Sequence, residues 1–193
     1  MTRIYFVRHC KPDGTIRDDR NRPLTEEGLE DSIKVAEILK DKKMITIKRT
    51  SANDIETLMQ IRLEMLRIVN GLDENAPFDK TLVECNREYF LKGDQTTVFA
   101  MDGDKIAGCA SLSYINVMPT FDHPTGKRAH LMNVYTRAQF RRRGVGKMMV
   151  EYLIEEAKSR GVTEISLDAT QMGHPLYKSL GFNDNGEGMN LSL

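Results

Sequence analysis

The sequence predicts an α/β fold, and two observations carry that expectation. Runs with the two-residue alternation of a strand take turns with runs whose apolar residues recur every three to four positions, as on one face of a helix. One transition between them, Arg141-Arg142-Arg143-Gly144-Val145-Gly146-Lys147, places arginines and glycines between a β-patterned run and a helical one. A chain that leaves a strand there and enters a helix turns several unpaired backbone N–H groups toward a positive helix end, which suits an anion such as a pyrophosphate.

From the N-terminus, Ile4–Val7 is a short apolar run expected to form a buried strand, and residues 10–23, with Pro12, Gly14 and Pro23, read as loop. Thr25 and Gly28 open a helix whose apolar positions are Leu29, Ile33, Ala36 and Leu39. Asp41-Lys42-Lys43 is a charged break, and at Met44 the chain looks like a second start. Ile45-Thr46-Ile47-Lys48 alternates as a strand, and Ser51 or Asn53 can cap a helix carrying Ile55, Leu58, Met59, Met65, Leu66 and Val69. After a loop at 71–77, residues 78–91 read as a second helix. The runs 97–101 and 105–113 form a hairpin about Asp102-Gly103-Asp104. Residues 114–127, with two prolines, Asp122, His123 and Gly126, read as a long loop. Strand at 129–136, helix at 147–160, strand at 164–169, a short helix around Tyr177 and a closing strand at 189–193 complete the chain.

Composition narrows the function. Lys plus Arg number 28 and Asp plus Glu number 28, so no basic field points to nucleic acid or an anionic membrane. No apolar run approaches the length that spans a bilayer, and Arg8-His9 directly after Tyr5-Phe6-Val7 is unlike a signal peptide. Cys10, Cys85 and Cys109 are odd in number and lack metal-like spacing, and the four histidines lack zinc-site spacing. The expectation is a cytoplasmic protein with reduced thiols and no metal.

A second motif follows the first by about thirty residues: Pro175-Leu176-Tyr177-Lys178-Ser179-Leu180-Gly181-Phe182, a short amphipathic helix closed by Gly-Phe. Together the two resemble the GNAT superfamily of acyl-CoA-dependent N-acyltransferases over roughly residues 44–193. That family's loop, Gln/Arg-x-x-Gly-x-Gly/Ala, is matched by Arg141, Gly144 and Gly146. Its Tyr-x-x-x-Gly-Phe ending is matched by Tyr177, Gly181 and Phe182. The resemblance implies a mixed twisted sheet with helices on both faces, and acetyl-CoA as co-substrate. It implies that the strand before the loop splays from its neighbour and pairs with the pantetheine arm as an added strand would. Val134 then stands where a backbone N–H polarises the thioester oxygen, and Thr136 where a strand residue contacts pantetheine. Arg141, Arg142, Arg143, Gly144, Val145 and Gly146 fall around the pyrophosphate, and Thr170 takes a pantetheine-contacting place where the family often has Asn.

The same resemblance makes Tyr177 the general acid for the CoA sulfur, and a phenol of pKa about 10 suits a thiolate leaving group of pKa about 8.5–9. A base is less clearly marked. His130 occupies a place where some relatives carry a carboxylate, and Asp122 and His123 in the long loop are rivals. The expected activity is transfer of an acetyl group to a primary amine, small molecule or peptide, by direct attack in a ternary complex. A non-catalytic acyl-CoA-binding sensor is the alternative. A homodimer, frequent in this family, is also open.

Residues 1–43 carry a different resemblance. Ile4-Tyr5-Phe6-Val7-Arg8-His9, then Leu24, Thr25 and Gly28, look like the opening of the histidine phosphatase (phosphoglycerate-mutase-like) superfamily. Arg8 and His9 match its phosphate-binding Arg and nucleophile, and Cys10 stands where Gly is usual. Histidine phosphatase chemistry is the remaining alternative function. It needs further cationic groups, a second His and an acid, and the pattern stops near residue 40. The expectation is a non-catalytic strand–helix extension (1–43) ahead of a GNAT domain (44–193).

Overall fold

Thr25 starts the first helix as the sequence predicts: its Oγ1 accepts from the Gly28 N–H at 3.1 Å, and Glu26 and Glu27 place negative charge on the first turn. This helix, α1 (Glu26–Lys40), belongs to a first unit, Met1–Met44. The computed structural model describes residues 24–40 and 45–184. The expected strands at 4–7 and 189–193, together with Arg8, His9 and Cys10, lie outside the described residues.

The second unit, Ile45–Leu193, runs β1 (Ile45–Arg49), α2 (Ile55–Val69), α3 (Lys80–Lys92), β2 (Gln95–Asp102), β3 (Lys105–Asn116), β4 (Lys127–Thr136), α4 (Val145–Ser159), β5 (Glu164–Leu167) and α5 (His174–Ser179). The strands form one mixed sheet in the order β1-β2-β3-β4-β5. Neighbours are antiparallel up to β4, and β5 is parallel to β4, as a crossover through α4 requires.

Strand periodicity decides the layers. On β2, Val98 and Ala100 pack into a cluster with Val145, Met149 and Leu153 of α4, while Phe99 between them packs with Leu58, Ile61 and Met65 of α2. Each face of the sheet therefore has its own apolar cover, which is the predicted arrangement of helices on both faces. Among the described residues, no helix is long and apolar enough to cross a membrane.

Several boundaries differ from those read in the sequence, each for a physical reason. The region 114–127 is not all loop: β3 continues to Asn116 and β4 begins at Lys127, and these two residues face each other across the ladder. Helix α3 starts after Asp79, whose carboxylate caps the Leu82 N–H at 3.2 Å, so residue 78 is outside it. The helix read as 147–160 begins two residues earlier, at Val145, and β5 ends at Leu167 rather than 169.

One tie between α2 and the sheet was not visible in the sequence. The Glu64 carboxylate accepts from Tyr135 Oη at 2.8 Å and from Arg137 Nη2 at 2.7 Å and Nε at 3.1 Å. Burial raises the Glu64 pKa, but the bonds from Arg137 and Tyr135 outweigh it and leave it below the ordinary value. The Tyr135 phenol is pushed up to about 12 by burial and by Glu64. Since the folded pKa of Glu64 is depressed, its stabilisation is complete above the unfolded pKa and is lost as pH falls through the folded one. Glu64→Gln should lower stability by about 1–2 kcal/mol near neutral pH, the charge-assisted bonds being discounted for partial exposure. In chemical denaturation at a series of pH values, the gap between the two proteins should close on the acid side of about pH 4.

Candidate active site

The functional geometry starts where β5 stops. Pairing between β4 and β5 runs from Arg128↔Glu164 to Leu131↔Leu167, and β4 continues to Thr136 without a β5 partner. In that free stretch β4 bulges: Ser111 faces Met132 and Cys109 faces Tyr135, so Asn133 and Val134 stand opposite Ala110 alone. Asn133 takes a positive φ of 57°, a conformation that Asn adopts more readily than most residues. Val134 therefore lies in the part of β4 that has parted from β5, and its side chain packs on the α4 cluster.

Beyond Thr136 the chain turns into α4. Gly144 precedes the helix at φ 75°, a conformation that glycine adopts without strain. The Met148 N–H bonds to the Gly144 carbonyl at 3.0 Å, which leaves the amides of Val145, Gly146 and Lys147 without an intrahelical acceptor. Gly146 is a place of close approach. A Cβ there would lie 3.3 Å from Leu176 Cδ2 of α5 and 3.8 Å from Thr136 Oγ1, so the end of β4, the start of α4 and the Tyr177 helix meet at this residue.

The three arginines are not equivalent. Arg141 Nε donates to the Thr136 carbonyl at 3.1 Å and holds the loop against the strand end. Arg143 pairs with Asp102 at 3.4 Å and lies over the Phe140 ring, 5.5 Å from its centroid. Arg142, exposed and at φ 62°, makes no ion pair among the described residues. Two of the three thus have structural partners of their own.

Tyr177 is half-buried on α5, with its ring edge-on to Phe182 at a centroid distance of 5.9 Å. Burial raises its pKa, so the phenol keeps its proton through neutral pH. The short helix is fixed at both ends. Thr170 accepts the Gly173 N–H on Oγ1 at 3.2 Å and the His174 N–H on its carbonyl at 3.0 Å. Asp184 bonds Lys178 and His174, each at 2.8 Å, and these partners hold its carboxyl down to about 2. The Thr170 hydroxyl is accordingly engaged in the turn that starts α5.

His130 sits on β4 beside Ser166 of β5: Nδ1 lies 2.9 Å from Ser166 Oγ, and Nε2 3.8 Å from the exposed Asp168 carboxylate. The rival His123 is tied to Thr163 at 3.1 Å and to Glu164 at 3.2 Å. That anchors it at the start of β5, the opposite end of the β4–β5 pair from the opening.

Tyr177 and His130 line two different cavities. One, of about 760 Å³, lies on the α4–α5 side and is lined by Leu167, Tyr177 and Phe182 among others. The other, of about 520 Å³, lies on the α2–α3 side and is lined by Arg62, Asn86, Tyr89, His130, Met132 and Asn133 among others. The sequence reading put Tyr177 and His130 in one site; in the structure they line two different cavities. It also adds Arg62, Asn86 and Asn133, which the reading missed. Among the described residues no cluster of His, Cys, Asp and Glu could hold a metal ion. Cys109 is buried with its thiol pushed up to about 12, so it is no nucleophile at neutral pH, and Cys85 is exposed.

Comparison with known proteins agrees with this architecture. The family model described as acetyltransferase (GNAT) matches residues 56–182. The chain is 31% identical over 98 residues to the uncharacterized N-acetyltransferase YsnE of Bacillus subtilis, covering 48% of this chain and 59% of that protein. It is 41% identical over 59 residues to the ribosomal protein bS18-alanine N-acetyltransferase of Salmonella typhimurium, covering 29% and 40%. The match thus spans between two fifths and three fifths of these relatives' lengths. Among solved structures, a predicted acetyltransferase with acetyl-CoA from Clostridium acetobutylicum superposes with a TM-score of 0.68 at 30% identity, over 77% of this chain and 96% of that one. The family model begins at residue 56, beyond the first unit, and the comparisons give no support to a histidine phosphatase fragment at residues 1–43. With a family model covering most of the chain and a sheet that opens where the glycine loop begins, the chain belongs to the acetyltransferase (GNAT) family.

Proposed function

We propose that this protein transfers an acetyl group from acetyl-CoA to a primary amine by direct attack in a ternary complex. The observation that carries the proposal is the convergence at Gly146 of the unpaired end of β4, the free amides opening α4, and the helix bearing Tyr177. The amides of Val145, Gly146 and Lys147, with Arg142 beside them, suit a pyrophosphate. The backbone of β4 from Val134 to Thr136 offers the pantetheine arm a strand edge, and the Val134 N–H a hydrogen bond to the thioester oxygen. As the amine attacks the carbonyl carbon, the C–S bond breaks and Tyr177 protonates the departing sulfur. His130 takes the amine's proton through water.

Every group in this scheme lies beyond residue 129, and the family match starts at residue 56. A chain beginning at Met44 should therefore bind acetyl-CoA and release CoA thiol in the presence of a productive amine at a rate within about twofold of the full chain. Loss of turnover in that shortened chain, with its fold intact by circular dichroism, would place part of the machinery in residues 1–43. Hydrolysis of a phosphomonoester by the full chain, abolished in His9→Ala, would restore a phosphatase role for them.

A further inference from the structure

The cavity on the α2–α3 side contains a cation without a counter-ion. Arg62 is half-buried, and desolvation pulls its pKa below the ordinary value. Among the described residues no carboxylate lies within ion-pair distance of it, and neither Asp nor Glu lines the cavity. A charge withdrawn from water without a partner is costly, and a ligand anion removes that cost.

The guanidinium is also held in place. Nε donates to Asn86 Oδ1 at 2.9 Å and Nη1 to Asn133 Oδ1 at 3.2 Å. Each amide is fixed in turn: Asn86 Nδ2 donates to the Leu82 carbonyl at 2.8 Å, and Asn133 Nδ2 to Ser111 Oγ at 3.2 Å. The positive φ of Asn133 sets that side chain at the bulge. Of the five N–H groups of an arginine, two are used here. The three that remain lie on Nη1 and Nη2, the edge that grips a carboxylate with two parallel bonds. The other walls are largely apolar or aromatic, including Tyr89, Phe90, Ile115 and Met132, and no second Arg or Lys joins Arg62, as a phosphate dianion would favour. His130 and Met132, at the edge of the β4–β5 opening, line the same space.

Resting on the acetyl-transfer reading above, we propose that the acceptor is an amine that also bears a carboxylate on an apolar body, an amino acid or a compound built like one. Its carboxylate binds Arg62, and its amine points to the opening beside His130. A cavity of about 520 Å³ has room for such a molecule. Polyamines would bring further positive charge against Arg62 and are excluded on that ground.

The test is acetyl-CoA-dependent thiol release with the free amino acids, with the amides of Leu, Met and Phe, and with spermidine and glucosamine 6-phosphate. A carboxylate-bearing apolar amino acid should exceed its own amide in kcat/KM by at least about tenfold, chiefly through KM. Arg62→Met should bring the acid-to-amide ratio of kcat/KM down toward one, chiefly by raising KM for the acid. The acid–amide comparison on the unaltered protein stands even if that variant fails to fold. Equal use of acid and amide, preference for spermidine, or preference for the phosphate-bearing sugar would each overturn the proposal, as would calorimetric acetyl-CoA binding with no free amino acid accepted. Failure to bind acetyl-CoA at all would instead strike the acetyl-transfer reading on which it rests.

Discussion

Tyr177→Phe should lower kcat by about 10²–10⁴-fold while leaving acetyl-CoA affinity nearly unchanged. The substitution removes one oxygen and its proton, and keeps the ring that packs edge-on against Phe182. The hydroxyl makes no hydrogen bond among the described residues. Burial holds the phenol in its protonated form, the state an acid needs before the sulfur departs. The loop at 141–147 and the free edge of β4, proposed to hold acetyl-CoA, are untouched, so binding should persist. The size of the loss is tempered by the acidity of the CoA thiol, which can leave in part as thiolate. Turnover with a productive amine and titration calorimetry with acetyl-CoA measure the two quantities separately. A Tyr177→Phe protein with unaltered kcat would make Tyr177 a packing residue only.

Gly146→Asp should weaken acetyl-CoA binding by at least about tenfold, or roughly 1.4 kcal/mol. The introduced carboxylate stands among amides proposed to face a pyrophosphate, and repels it. The added Cβ meets only the tip of Leu176 at 3.3 Å, and Thr136 Oγ1 at 3.8 Å. A flexible side-chain end can give by a few tenths of an ångström, so the fold should survive. Gly146→Ala is the companion that separates the two effects, because it adds the same Cβ without the charge. Calorimetric titration should show Gly146→Ala close to the unaltered protein and Gly146→Asp far weaker. Equal weakening in both would assign the effect to the contact with Leu176 and leave the anion reading unsupported.

The sequence was most informative where the chemistry is local. The loop at 141–147 and the ending at 177–182 are contiguous motifs, and the structure sets them side by side, so that a Cβ on Gly146 would lie 3.3 Å from Leu176 Cδ2. The alternation on β2 and the stripe on α2 gave the layers, because burial on one face imposes a period. What the sequence concealed depends on distant pairing. The extension of β3 and β4 into the presumed loop comes from Asn116 facing Lys127 across the ladder, and no local propensity reports that. The bulge at Asn133 is likewise a property of two strands together. His130 meets Ser166 only through the parallel register of β4 and β5.

One missed residue did leave a trace. Leu58, Ile61 and Met65 are buried at helical spacing, and Arg62 falls within the same stripe. A lone arginine on an apolar helix face demands a partner, and here two asparagines, one from α3 and one from the β4 bulge, supply part of it. The arginine run points the other way. Sequence alone counted three candidate pyrophosphate ligands, whereas the structure occupies Arg141 with the Thr136 carbonyl and Arg143 with Asp102.

Rapid quenching of the protein with labelled acetyl-CoA and a productive amine tests the central claim most directly, with thiol, N-acetylated amine and protein-bound acetyl group followed together. Direct transfer predicts that thiol and N-acetylated amine appear in step, one for one, with no acetyl group on the protein at any time. Stoichiometric acetyl-CoA binding without thiol release for any amine, or an acetylated protein that forms and decays at the rate of turnover, would contradict it.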